Sequence, residues 1–155
     1  MTVRELAPST LATRLRFPGI HLRVGPFVIR LQSPVPAVVE ALRLLYADFP
    51  VAPPEGLADF HLRVTPPRGL RRWWRPQVLF LTDGRSLFEP LPRAMAAPLL
   101  EWGLNRMIAS RAHQYLILHA AAAERGGRAL ILPAPPSWGK STLCAALTHR
   151  GWRLL

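Results

Sequence analysis

The chain has 155 residues, half of them apolar, which suits one ordinary domain or a small domain with part of another. That composition excludes full disorder, and 17 prolines with 10 glycines stay below the roughly 25–30% that marks low-complexity chains. The formal net charge is +11, yet of the 20 basic residues 19 are arginine and one is lysine, and they are spread out, so charge alone does not demand a polyanion partner.

No run of about 18 uncharged apolar residues is present, so no membrane-spanning helix is expected. Met1–Pro8 lacks the apolar stretch of a secretory signal. A single cysteine, Cys144, excludes an internal disulfide framework and suits a reducing, cytoplasmic setting.

Residues 1–18 show no clean period and read as a loose lead-in. Ile20 to Leu31 reads as two short strands, with apolar alternation switching phase at a turn on Gly25-Pro26. Residues 35–49 carry a helical stripe from Val35 to Phe49, opened by Pro36 and stopped by Pro50. Residues 51–58 read as a loop. Asp59–Thr65 alternates as a half-buried strand, with Phe60, Leu62 and Val64 inward. Pro66–Pro76 is a proline-bounded connection. Val78–Thr82 and Ser86–Leu91 flank Asp83-Gly84, a strong hairpin signal. Arg93–His113 reads as a helix with Leu100, Leu104, Met107 and Ile108 on one stripe. Tyr115–Ala123 and Arg128–Pro133 read as a hairpin of two buried strands around Gly126-Gly127, and Ser141–Arg150 as a helix with Leu143, Ala146 and Leu147 inward. The expected fold is therefore α/β: a mixed α+β part over 1–95, a bridging helix over 96–113, and over 114–155 the opening of an α/β unit that does not cover both faces of its sheet.

The chemistry concentrates in Ala134-Pro135-Pro136-Ser137-Trp138-Gly139-Lys140-Ser141-Thr142, between a strand and a helix. The phosphate-loop pattern is G-x-x-x-x-G-K-[ST], and Gly139, Lys140 and Ser141 fit it while Ala134 replaces the first glycine. Backbone N–H groups of such a loop and of the first helical turn converge on phosphate oxygens, aided by the helix dipole. Gly139 leaves the approach open, Lys140 places a compact ammonium on the phosphates, and Ser141 is a candidate Mg²⁺ ligand. The chain's only lysine stands where lysine is chemically distinctive. The alternative is a helix start that merely reads Gly-Lys-Ser-Thr. Three departures bear on the site: Ala134 resists a left-handed turn, Pro135 and Pro136 remove two donors, and Trp138 is bulky where small residues are usual.

The segment from Leu118-His119 through Glu124-Arg-Gly-Gly-Arg128 and Gly139-Lys-Ser-Thr142 to Gly151-Trp-Arg-Leu-Leu155 resembles the HPr kinase/phosphorylase superfamily. Within it, the chain is most similar to the HPr-kinase-related kinases of bacterial exosortase gene clusters. The likeness is tight over about 115–155 and diffuse over 20–110, where Gly25–Arg30 and Ala41–Asp48 look similar. It implies a phosphoenolpyruvate-carboxykinase-like P-loop kinase domain that uses ATP and Mg²⁺, a protein-serine acceptor on a small carrier, and a homo-oligomer. It also implies nucleotide contacts along Ala134–Thr142 and a catalytic role for His119, which matches a histidine near the reacting groups. Relatives usually have Gly-Ser where this chain has Ser137-Trp138. The family continues with an acidic strand end that holds the metal and accepts the hydroxyl proton, whereas no acid follows Glu124 here. The expectation is therefore either part of a longer kinase or a relative that binds nucleotide without transferring phosphate.

Other features have plain readings beside functional ones. His119 in an apolar run is either a core histidine or that site residue. Cys144 reads as a small buried residue. His21, His61, His113 and His149 lack metal-ligand spacing, so no zinc site is expected. Arg68–Arg75, with Trp73-Trp74, is either a solvated connection or a patch for nucleic acid or an anionic membrane surface.

Overall fold

The computed structural model describes residues 1–69, 74 and 76–155, and the chain divides into two compact units, 1–111 and 112–155. Both mix helices and strands, so the architecture is α/β. Arg71, Arg72, Trp73 and Arg75 of the basic run lie outside the described residues, whereas Trp74 is exposed. Among the described residues no helix is long and apolar enough to cross a membrane.

The first unit is a mixed sheet with helices on one face. Its strands are β1 (Ile20–Val24), β2 (Phe27–Gln32), β3 (Val51–Ala52), β4 (Phe60–Thr65), β5 (Gln77–Thr82), β6 (Arg85–Ser86) and β7 (Leu91–Pro92). They run in the order β3-β1-β2-β4-β5-β6, with β7 also paired to β5. The phase switch at Gly25-Pro26 is a tight turn, and β1 and β2 pair antiparallel through Val24 opposite Phe27. Asp83 and Gly84 both take positive φ (49° and 80°), the geometry of a two-residue hairpin turn, and Thr82 pairs with Arg85. Strands β2 and β4 are parallel, the pairing that requires a crossover, and α2 (Pro36–Leu45) supplies it.

Alternation aligns across the strands. Ile20, Leu22, Ile29, Leu31, Phe60, Leu62, Val64 and Phe80 all fall on one buried face. That face packs against α1 (Pro8–Arg16) and α3 (Ala96–Arg111), and α2 packs on both of these helices. Tyr46, at the end of α2, is buried against Glu101 of α3. Burial first, then the hydrogen bond and charge of Glu101, push its hydroxyl well above the ordinary tyrosine range.

Several sequence expectations are corrected. The lead-in is ordered: Val3–Glu5 is a 3₁₀ turn, and α1 buries Leu11 and Leu15 completely. Helix α2 ends at Leu45, four residues before Phe49. The loop over 51–58 begins with the two-residue edge strand β3. The segment expected as one strand over 86–91 is two short pieces, β6 and β7. The helix expected to bridge over 96–113 ends at Arg111 and belongs to the first unit, where Leu99, Leu100, Leu104 and Met107 are buried.

The second unit is a three-stranded sheet in the order β10-β8-β9, with β8 at Ala120–Arg125, β9 at Arg128–Pro133 and β10 at Arg153–Leu154, packed on α4 (Lys140–Thr148). The expected hairpin forms, but its first strand starts at Ala120, not Tyr115, and β9 is not buried: Ile131 is 53% exposed. Helix α4 likewise turns Leu143 outward at 47% exposure and leaves Ala146 exposed. Cys144 is its buried residue.

Candidate functional site

The loop over 134–142 is positioned by the end of β9 and the start of α4. Pro133 is the last strand residue, and Gly139 is the helix N-cap in a left-handed conformation (φ 78°, ψ 13°). An L side chain rarely adopts that backbone, and a glycine takes it without steric cost. The expected conflict at Ala134 does not arise, because the non-glycine left-handed position is Ser137 (φ 67°). A non-glycine residue holds that conformation at a cost of about 1 kcal/mol.

Lys140 folds back over the loop. Its Nζ donates to the carbonyl oxygens of Ala134 at 2.6 Å and Pro135 at 2.8 Å. The ammonium is thus fixed above the loop by two neutral acceptors, with no carboxylate among its partners. The helix end beneath it is open: no side chain caps α4, and no acid lies in its first turn. The first N–H groups of a helix have no intrahelical partner, and the helix dipole makes that end positive. Ser141 and Thr142 are exposed there, and Trp138 stands 73% exposed beside them. An uncapped helix start, a left-handed glycine and a backbone-pinned ammonium together form a cradle suited to a phosphate group. Pro135 and Pro136 add no donors to it.

His119 is exposed, which overturns its reading as a buried core histidine. It immediately precedes β8, whose first residue, Ala120, pairs with Pro133. Pro133 is the residue before the loop, so histidine and loop share one end of the hairpin.

Glu124, the only carboxylate side chain in 112–155, is engaged elsewhere. Its Oε1 accepts from the Gly127 N–H at 2.8 Å and its Oε2 from Arg153 Nε at 3.1 Å. The Gly127 bond, then Arg153, holds its carboxyl below the usual range. It ties the hairpin turn to β10, a role that no motif in the sequence announces. Among the described residues no group of three or more His, Cys, Asp or Glu is placed to hold a metal ion. Ser141, the metal-ligand candidate of the sequence, is exposed at the start of α4.

Comparison with models of protein families, with curated proteins and with solved structures finds no match to this chain.

Proposed function

We propose that residues 112–155 bind the phosphates of a nucleotide on the 134–142 loop, and that the protein is an ATP-dependent phosphotransferase of the kind its sequence resembles. The observation that carries this reading is Lys140: its ammonium is held over the loop at an uncapped helix N-terminus. A phosphate oxygen would replace the Ala134 and Pro135 carbonyls as acceptor and add full charge to the bond. The N–H groups of Gly139, Lys140, Ser141 and Thr142 would take the remaining phosphate oxygens. Magnesium-bound ATP is the phosphoryl donor in this reading, and the Ser141 hydroxyl is the ligand this loop offers the metal. His119, at the same end of the hairpin, is the candidate for a role beside the reacting groups. The acceptor by resemblance is a serine of a small protein, and the assembly a homo-oligomer.

A second reading, nucleotide binding without transfer, is favoured by Glu124. Transfer needs a carboxylate near the metal, and the one carboxylate side chain within 112–155 is occupied by Gly127 and Arg153. The two readings part in one experiment. Calorimetric titration with ATP–Mg²⁺ is run on the chain and on Lys140→Ala, followed by a labelled γ-phosphate release and transfer assay. ATP binding that is lost in the variant supports the nucleotide site. Binding with no turnover selects the second reading. Equal affinity in both proteins removes both readings.

A further inference from the structure

We propose that the sheet face of the first unit turned away from its helices carries a separate binding cleft for a small oxyanion-bearing molecule, a phosphate or a carboxylate, at His21, Arg30 and His61. These residues come from three strands and forty positions of sequence, and the sheet register sets them side by side. His21 on β1 lies directly opposite Arg30 on β2, and Arg30 lies directly beside His61 on β4. They form one continuous row on the polar face, behind the apolar row of Ile20, Leu31 and Leu62.

The row floors a cleft of about 440 Å³, walled by Pro18, Pro54 and Leu57. That volume suits a small metabolite. A smaller hollow of about 180 Å³ shares Pro18, Gly19, His21 and Pro54 and brings in Arg14.

Arg30 and His21 are fixed rather than loose. Arg30 donates through Nε and one Nη to the Pro18 carbonyl at 3.0 and 2.7 Å, and Gln32 Nε2 donates to the same oxygen at 2.9 Å. Gly19 lets the backbone lie against this pair, since a Cβ there would come within 2.9 Å of Gln32 Cγ and 3.4 Å of Arg30 Cγ. The His21 ring is buried, and its Nδ1–H donates to the Pro53 carbonyl at 2.9 Å, so Nε2 accepts from the O–H of a protonated oxyanion in the neutral ring and donates to an oxyanion in the imidazolium. His61 is exposed and has no side-chain hydrogen bond among the described residues. Arg30 retains N–H groups beyond those spent on Pro18.

What the cleft lacks decides the sign of its ligand. None of its lining residues is acidic. Asp59 is spent on the Val28 N–H at 2.7 Å, and Glu55 is exposed on the neighbouring loop without lining the cleft. A guanidinium whose bonds go to a neutral oxygen keeps its full charge for an anion. Leu57, 96% exposed at the rim, offers an apolar contact to whatever carries that anion.

The test follows the imidazole ring signals of the full chain by NMR. Sodium phosphate and sodium malonate are titrated separately against sodium chloride at equal ionic strength. The proposal expects saturable shifts of the His21 and His61 rings, at about millimolar concentration. His61→Gln is expected to weaken the response read at His21 about tenfold, the worth of one charge-assisted hydrogen bond. Lys140→Ala is expected to leave it unchanged, which separates this cleft from the loop at 134–142. A response to one salt only identifies the oxyanion. Ring shifts no larger than in chloride with either salt, or shifts that vanish in Lys140→Ala, would overturn the proposal.

Discussion

Gly103 is where helix α3 lies against the Phe80 ring of β5, and Gly103→Ala tests that packing. A Cβ built on Gly103 would fall inside the contact envelope of three Phe80 ring atoms. Phe80 is fully buried on β5, with Phe88 edge-on at 6.0 Å, so the ring has no empty space to enter. Two effects oppose each other. Alanine is the better helix former by about 1 kcal/mol. Overpacking a close-packed core costs about 1–3 kcal/mol, and a clash with three atoms of a trapped ring belongs near the top of that range. The expected net change is a destabilisation of about 1–2 kcal/mol. In a domain of this size each kcal/mol lowers the unfolding temperature by about 4–8 °C. Thermal unfolding followed by circular dichroism reads this directly. Phe80→Leu in the alanine background should recover part of the loss, giving a coupling of about 1 kcal/mol in a double-mutant cycle. A neutral or stabilised Gly103→Ala, or additive effects in the cycle, would mean that α3 does not lie on β5 at this distance.

Three further outcomes follow from the second unit. Lys140→Ala should weaken ATP binding about ten- to hundredfold, the loss of charge-assisted bonds worth about 1.5–3 kcal/mol, as read by calorimetry at fixed salt. Because the Glu124 carboxyl is held below its ordinary range, its contribution to stability is complete above the unfolded value of about 4.3 and disappears as pH falls through the folded one. Denaturant unfolding of 112–155 should therefore show a stability loss towards acid pH that Glu124→Gln flattens; the effect is small, since both its partners are screened by solvent. Trp138, exposed on the loop, should change fluorescence on ATP addition in the native chain, and the change should be absent in Lys140→Ala.

The strands that the sequence made legible are those whose burial alternates. In β4, Phe60, Leu62 and Val64 point inward and His61 and Arg63 outward, and Asp83-Gly84 is a turn that its residue types nearly dictate. Helix α1 was not legible because, after Pro8, Leu11 and Leu15 are the only apolar side chains larger than alanine in it, too few to mark a stripe, although both are fully buried. Tyr115–His119 misled in the opposite direction: the run is apolar, but the register with β9 begins only at Ala120, and Leu116 remains exposed. At the loop, Gly139, Lys140 and Ser141 could be singled out by type and spacing, whereas the carbonyl pair that pins Lys140 could not. The row of His21, Arg30 and His61 was beyond reach for a different reason. It depends on the parallel pairing of β2 with β4, and no local pattern specifies which strands become neighbours.

The two proposed anion sites lie in units of unequal packing, and that difference gives a way to tell them apart. In 112–155 only Ala112, Ala123 and Cys144 are buried, whereas the first unit buries an entire sheet face. Regions with few buried apolar side chains open locally at low free energy, so amides of β8, β9 and α4 should exchange with solvent faster than those of β2 and β4. A ligand that binds only the closed form, at about a hundred times its Kd, adds about 2.7 kcal/mol to that opening and slows exchange about a hundredfold. ATP seated on the loop should therefore protect β8, β9 and α4 selectively, and Lys140→Ala should erase the protection. An oxyanion in the cleft should protect β1, β2 and β4 in both proteins. Protection of the first unit by ATP that persists in Lys140→Ala would place the nucleotide phosphates on His21, Arg30 and His61 and remove the loop as their site.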